Sequence, residues 1–246
     1  MERKVALVTG GMGGIGTAIS QRLSANYQTI ACYFKNGNHG EAKRWKEAQK
    51  KEGFDVDIIY ADVTNFENCE ELVTSVTERY GHIEVLVNNA GITCDSSLKK
   101  MTPQQWQQVI DANLTSMFNM TRNVLPIMLE QSYGRIISIS SINGRKGQFG
   151  QCNYAATKAA LYGFSKSLAL EVASKGITVN TVSPGYTKTA MLDNVKEDIL
   201  KEIIANIPVG RLGLPEEIAA VVEFLTSSDT AFITGANIDI NGGQYM

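Results

Sequence analysis

Tyr154 and Lys158 stand four positions apart in NYAATK, behind a polar, glycine-bearing loop that opens with Ser140 and Ser141. On a helix, residues i and i+4 share a face, so this spacing sets a phenol beside an ammonium. A phenol with its ordinary pKa of about 10 is a poor acid at neutral pH. An ammonium ~4 Å away in an effective dielectric of ~20 is worth at most about 4 kcal/mol, against ~1.4 kcal/mol per pH unit. The pair therefore predicts a Tyr154 pKa lowered by about two, enough to make it a serviceable proton donor to an oxygen on which negative charge develops.

A second group of residues with chemistry lies near the N-terminus, where VALV runs into TGGMGGIGTAI. Two registers fit a dinucleotide fingerprint. Gly11, Gly13 and Gly16 match G-x-G-x-x-G, whereas Gly10, Gly14 and Gly16 match T-G-x-x-x-G-x-G. In either register the missing side chains let the backbone turn tightly and approach a pyrophosphate, which meets the N–H groups and positive end of the following helix. No Gly-Lys-Ser/Thr follows, which argues against a nucleotide triphosphate P-loop. The next strand ends in YFKNGNHGEAKR. An NAD site places Asp or Glu at this point for the ribose 2′-hydroxyl. Here the acid is absent, Glu41 falls in the next helix, and Lys35, Lys43 and Arg44 are present, a balance that suits a 2′-phosphate and NADP(H).

These residues need elements to hold them. Short Val- and Ile-rich runs occur at 5–9, 29–34, 56–61, 85–89, 135–140, 177–183 and 237–242, and most are apolar on both faces, as strands buried between two helical layers must be. Helical patterns lie between them, among them 17–26, 66–80 and 103–129, the last with a kink or break expected at Pro126. The alternation predicts an α/β fold, a doubly wound parallel sheet with helices on both faces. No linker or repeat divides residues 1–246, so one domain is expected. The stretch 187–214 interrupts the alternation and reads as helices inserted beyond a strand end.

The net charge of −2 and pI near 5.8 give no basic field for nucleic acid or an acidic membrane. No apolar run approaches the length that crosses a bilayer, and the N-terminal run stops at Gly10, too short for a signal peptide, so a cytoplasmic protein is expected. Cys32, Cys69, Cys94 and Cys152 form no CxxC pair, and His39 and His82 no HExxH, so no metal is expected.

The order TGGMGGIG, DVT (62–64), NNAG (88–91), Asn113, Ser141, Tyr154, Lys158 and SPGY (183–186) resembles the short-chain dehydrogenase/reductase family over essentially the whole chain. The resemblance implies the Gly10, Gly14, Gly16 register, with Met12 and Ile15 in the same cofactor loop. It implies that Asp62 faces the adenine beside Val63, and that Asn89, Ala90 and Gly91 line the cofactor, as do Pro184 and Gly185. It gives Lys158 a second task on the nicotinamide ribose, sets Ser141 rather than Ser140 on the substrate carbonyl, and has Asn113 anchor a water in the proton relay. The cofactor brings a hydride to a ketone, and the protein supplies the proton.

Two branches of the family fit, one reducing acetoacetyl-CoA in polyhydroxybutyrate synthesis and one reducing 3-oxoacyl-acyl-carrier protein in fatty acid synthesis. NGRKGQFGQCNY is more similar to the first, in which Gln148, Phe149 and Gln151 surround the acyl group together with Asp95 and Tyr186. Ser132 stands where the carrier-protein branch commonly has Arg, although Lys175 keeps a base. By resemblance, 187–214 is a mobile lid over the CoA ester, the product is an (R)-3-hydroxyacyl thioester, and the assembly is a homotetramer. A non-catalytic dinucleotide sensor or scaffold is the alternative of another class; such proteins tend to lose the Tyr or the Lys, and both are intact here.

Overall fold

Along the first strand, β1 (Val5–Thr9), Val5 and Leu7 enter one hydrophobic core while Ala6 and Val8 enter another, and all four are fully buried. A strand with two apolar faces requires a helical layer on each side, and the computed structural model, which describes residues 3–34, 37–192 and 196–246, has both. The remaining strands are β2 (Gln28–Tyr33), β3 (Val56–Tyr60), β4 (Val85–Asn88), β5 (Gly134–Ile139), β6 (Ile177–Pro184) and β7 (Asn237–Ile240). They form one seven-stranded sheet in the order β3-β2-β1-β4-β5-β6-β7, with every pairing parallel.

The helices are α1 (Gly14–Leu23), α2 (His39–Lys51), α3 (Phe66–Tyr80), α4 (Pro103–Ile110), α5 (Ser116–Gln131), α6 (Asn143–Lys146), α7 (Cys152–Val172), α8 (Glu197–Ala205) and α9 (Pro215–Thr226). One core joins the sheet to α3, α5 and α7 through Leu72, Met120, Val124, Leu168 and their neighbours. The other joins it to α1 and α9 through Ile19, Leu23, Ile218 and Val222. A small third cluster seats α2 against β2 and β3.

The chain winds outward from β1 in both directions, to β2 on one side and to β4 on the other. At such a reversal the loops leaving the two strands part and open a crevice at the carboxyl ends. Every candidate residue of the sequence that falls on β1, β4, β5 or β6 lies at or just past that end.

The expected break at Pro126 does not occur: α5 continues through it to Gln131. The irregularity lies earlier, where Asp111–Thr115 makes a π-helical turn between α4 and α5. Wide turns of this kind cluster at functional sites, and this one carries Asn113. In 187–214 the structure shows a short 3-10 turn at Ala190–Leu192 and α8, none of whose residues is buried. The base of the segment is pinned by a parallel bridge between Thr187 and Gly213 and by hydrogen bonds from Lys188 N–H to the Gly213 carbonyl and from Gly213 N–H to the Tyr186 carbonyl.

Candidate active site

The glycine loop shows why glycine is needed and at which positions. Gly10 has φ +60°, a left-handed conformation that favours glycine. A Cβ at Gly16 would lie 2.1 Å from the Gly10 carbonyl oxygen, and one at Gly14 would lie 2.7 Å from Thr189 Cγ2. A Cβ at Gly13 would meet nothing closer than 3.4 Å. Gly10, Gly14 and Gly16 thus each have a reason to be glycine, as the T-G-x-x-x-G-x-G register expects, whereas Gly13 is sterically tolerant. Gly11 is also constrained, for a Cβ there would lie 2.7 Å from Ala31 Cβ, a packing demand from β2. Gly13 precedes α1 with no side-chain cap, so the first N–H groups of a ten-residue helix face the crevice as donors for an anion. Met12, between these glycines, is buried against β2 and α2, and Ile15 packs on the α1 side of the core.

Across the crevice, the end of β4 is tied to β1. Asn89 Nδ2 donates to the carbonyls of Thr9 and Gly10 at 3.0 and 3.1 Å, and the N–H groups of Asn89 and Ala90 both donate to Thr9 Oγ1 at 3.0 Å. Thr9 is a residue that sequence reasoning missed. Its signals were its place at the head of the T-G-x-x-x-G-x-G pattern and a hydroxyl closing an otherwise apolar strand. A Cβ on Gly91 would lie 3.1 Å from Asn113 Oδ1 and 3.4 Å from Lys158 Nζ, so this glycine lets the lysine approach the crevice. Pro184 closes β6 with its carbonyl accepting from Ile142 N–H, and Gly185 packs so closely on Asn241 that a Cβ would come within 2.8 Å of its Cα. Asp62 Oδ1 accepts from the Thr64 N–H and hydroxyl, shaping the turn after β3, while Val63 is buried in the core and its carbonyl accepts from Asn119 Nδ2. Lys35 lies outside the described residues.

The catalytic candidates converge from three elements. Ser141 follows β5, and its Oγ accepts from the Asn143 N–H at 3.1 Å. Tyr154 and Lys158 project from the first turns of α7, with Lys158 Nζ 5.6 Å from the centre of the Tyr154 ring. The Ser141 side chain bears on the Tyr154 phenol, drawing its pKa down. Ser140 turns the other way, its Oγ 2.8 Å from the Lys158 carbonyl and 2.9 Å from the Tyr162 hydroxyl, which leaves Ser141 as the serine of the site. Tyr162, also missed in the sequence, donates to the Ser141 carbonyl at 3.2 Å from behind. Asn113 is fully engaged as a clamp: Oδ1 accepts from Ile92 N–H at 2.7 Å, and Nδ2 donates to the Ile92 carbonyl and to Thr157 Oγ1 at 3.0 and 3.2 Å.

The electrostatics correct one expectation. Burial pushes the Tyr154 phenol up; the Ser141 side chain draws it down, and Asp95 and Tyr162 add to the rise, so its pKa ends above the ordinary value rather than below it. Lys158, 4% exposed, donates from Nζ to the Ile139 carbonyl at 2.8 Å and is itself lowered by burial to about 8. Simple charge arithmetic at helical spacing omitted the cost of burying both groups.

On the substrate side the structure brings Asp95, Gln151 and Tyr186 to the Ser141–Tyr154 edge. Gln151 Nε2 donates to Asp95 Oδ2 at 2.8 Å, and Asp95 acts on both the Tyr154 and the Tyr186 phenols. Gln148 and Phe149 lie on the exposed part of the same loop, Phe149 89% exposed. They sit between two glycines of positive φ, Gly147 at +73° and Gly150 at +80°. Thr189 of the 187–214 segment lies against Gly14, so that segment and the glycine loop are in contact.

The comparisons with known proteins agree with this geometry. The short chain dehydrogenase family matches residues 4–200. A protein of Shinella zoogloeoides named acetoacetyl-CoA reductase is 51% identical over 245 residues, 99% of each chain. A 3-oxoacyl-[acyl-carrier-protein] reductase of Vibrio cholerae is 41% identical over 249 residues, 100% of this chain and 99% of its own. The crystal structure of gox2181 superposes with a TM-score of 0.93 at 35% identity, covering 99% of this chain and 96% of that one.

Proposed function

Because this chain belongs to the short chain dehydrogenase family, we propose that it is an acetoacetyl-CoA reductase, reducing the 3-oxo group of a short 3-oxoacyl-CoA thioester to an (R)-3-hydroxyacyl thioester at the expense of NADPH. Residues 1–246 act in this reading as one dinucleotide-binding and catalytic domain. The observation that carries it is the convergence of Ser141, Tyr154 and Lys158 at the sheet's reversal point, facing a glycine loop with no room for side chains at Gly14 and Gly16.

The residues fit the cofactor. Gly10, Met12, Gly14, Ile15 and Gly16 with the N–H groups of α1 would hold the pyrophosphate, Asp62 and Val63 would flank the adenine, and Asn89, Ala90, Gly91, Pro184 and Gly185 would line the nicotinamide half. When bound, the dinucleotide supplies the hydride. Ser141 Oγ holds the substrate's 3-oxo oxygen, and Tyr154 Oη gives that oxygen its proton as charge develops there. Lys158, positive below about pH 8, stabilises the phenolate left on Tyr154 and binds the nicotinamide ribose. Asn113 keeps the Ile92 backbone and Thr157 in place around this pair and so positions the water through which Tyr154 regains its proton. The preference for the 2′-phosphorylated cofactor is supported by the stretch after β2, FKNGN, which contains no Asp or Glu.

Higher identity to the acetoacetyl-CoA reductase than to the carrier-protein reductase supports the CoA thioester, as does the Asp95–Gln151 pair beside Ser141. A homotetramer is supported by apolar side chains left on the outer faces of α5 and α7, Phe118, Leu129 and Leu170, the last 87% exposed. No helix among the described residues is long and apolar enough to cross a membrane, and a cytoplasmic location suits the proposed substrate and cofactor. Oxidation of NADPH and NADH with acetoacetyl-CoA, measured beside an acetoacetyl carrier protein, tests the reading. NADPH with the CoA ester is the expected best pair, and a strong preference for the carrier protein or for NADH overturns the corresponding assignment. Tyr154→Phe is expected to keep dinucleotide binding and lose nearly all turnover; retained turnover removes Tyr154 as the acid.

A further inference from the structure

One buried polar side chain touches several parts of the site without having been given a task. Asn143 is 8% exposed and opens α6. That turn packs so closely on α7 that a Cβ at the next residue, Gly144, would lie 2.8 Å from the Lys158 carbonyl carbon. Asn143 is thus held at a fixed distance from the Tyr154–Lys158 face. Its N–H donates to Ser141 Oγ at 3.1 Å, its Nδ2 donates to Gln151 Oε1 at 2.9 Å, and Gln151 Nε2 donates on to Asp95 Oδ2 at 2.8 Å.

The direction of that chain is forced. A carboxylate only accepts, so Gln151 must turn its NH2 to Asp95 and its carbonyl to Asn143. Asn143 must then turn its own NH2 to Gln151. Its Oδ1 is left facing away from the chain, buried and without a partner. Buried acceptors are nearly always satisfied, and the exceptions call for an explanation. The Asn143 side chain also bears on the Tyr186 phenol at the root of the 187–214 segment, drawing its pKa down against the larger rise from burial and Asp95. The accepted N–H on Ser141 Oγ also orients that hydroxyl, leaving its hydrogen free to turn toward Tyr154 and the substrate oxygen.

We propose that Asn143 is a specificity-determining positioning residue: it couples the Ser141 hydroxyl, which meets the reducible carbonyl, to the Gln151–Asp95 pair, which meets the rest of the acyl group. One rigid amide thereby sets the spacing between the two, and with it the preference for a ketone placed β to a thioester. The inference rests on the reading of the site as a 3-oxoacyl-CoA reductase.

A polarity swap tests it. Asn143→Asp puts carboxylates at both ends of a chain whose middle residue can donate to only one, and kcat/KM for acetoacetyl-CoA is expected to fall on the order of tenfold, the size of one buried hydrogen bond to a charged group. Asn143→Asp combined with Asp95→Asn reverses every donor and acceptor and restores the chain. The double variant is expected to recover most of the loss relative to Asn143→Asp, while KM for NADPH stays unchanged in both. Asn143→Ser keeps the N–H to Ser141 but drops the link to Gln151, and should raise KM for acetoacetyl-CoA more than it lowers kcat. Each protein is checked for native melting first. If the wild type reduces acetoacetyl-CoA but the double variant recovers nothing over Asn143→Asp, or if Asn143→Ser leaves KM unchanged, the coupling role is refuted. If the wild type does not reduce acetoacetyl-CoA at all, it is the functional reading that fails.

Discussion

Replacing Lys158 by methionine should inactivate the protein and make it more stable. Lys158 is 4% exposed, burial is what lowers its pKa, and no carboxylate offsets that burial. Its pKa falls from 10.5 in the unfolded chain to about 8 in the fold. At ~1.4 kcal/mol per pH unit, holding the ammonium inside costs about 3 kcal/mol at pH 7. Methionine has a similar length and no charge. It forfeits the hydrogen bond from Nζ to the Ile139 carbonyl, worth about 1 kcal/mol. The net gain is about 2 kcal/mol, or ~4–8 °C in Tm for a chain of this size. The sign with pH follows from linkage. Between pH 8 and 10.5 the unfolded chain binds more protons at this group than the folded one, so wild-type stability rises with pH through that window. The advantage of Lys158→Met is therefore full below pH 8 and disappears toward pH 10.5. Urea or thermal unfolding of both proteins at pH 7 and pH 10, without dinucleotide, measures it. A variant less stable than wild type at pH 7, or an advantage that does not change with pH, would falsify the account of Lys158 as a charge buried for catalysis at a cost in stability.

The other expectations are more direct. Reductive kcat/KM should decline as pH passes about 8, where Lys158 loses its proton; a flat profile to pH 9 argues against a role for its charge. Gly16→Ala drives a Cβ to within 2.1 Å of the Gly10 carbonyl, so the loop must shift, and NADPH affinity measured by fluorescence titration should fall at least about tenfold, whereas Gly13→Ala should bind nearly as wild type; equal losses contradict the register. Of the four free thiols, Cys152 is exposed, while Cys32 and Cys69 are buried and pushed up to about 12. A thiol reagent at pH 8 should label Cys152 promptly and reach Cys32 and Cys69 only on unfolding.

Much of the architecture was legible from short-range pattern. The strands at 5–9 and 56–60 and the helix at 66–80 could be placed nearly to the residue, because two-sided apolar runs and a 3.6-residue period are properties of adjacent residues. α1 begins three residues before the period suggested, at Gly14, since the glycine loop itself enters the helix. The long helical run does not break at Pro126, and its π-helical turn at 111–115, where Asn113 meets Ile92 and Thr157, carries no sequence mark.

The residue types and their order were enough to place the glycine loop, the Tyr154–Lys158 pair and the doubly wound sheet, because each rests on local spacing or on the alternation of elements, while Ser141 was implied by the family resemblance. They could not reveal how these pieces meet. The sign of the Tyr154 pKa depends on how much water the fold removes, and desolvation is a sum over neighbours distant in the chain. The exposure of Gln148 and Phe149, between two glycines of positive φ, is likewise a property of the folded loop. Thr9, Asn143 and Tyr162 acquire meaning only from their partners in the fold, Asn89 just past β4, Gln151 just before α7 and Ser183 on β6. A contact between residues far apart in the chain leaves no local mark in the sequence: the Asn143 N–H reaches Ser141 Oγ two positions away, but the Gln151 bond to Asp95 spans 56 positions and forms only once the chain has closed on itself.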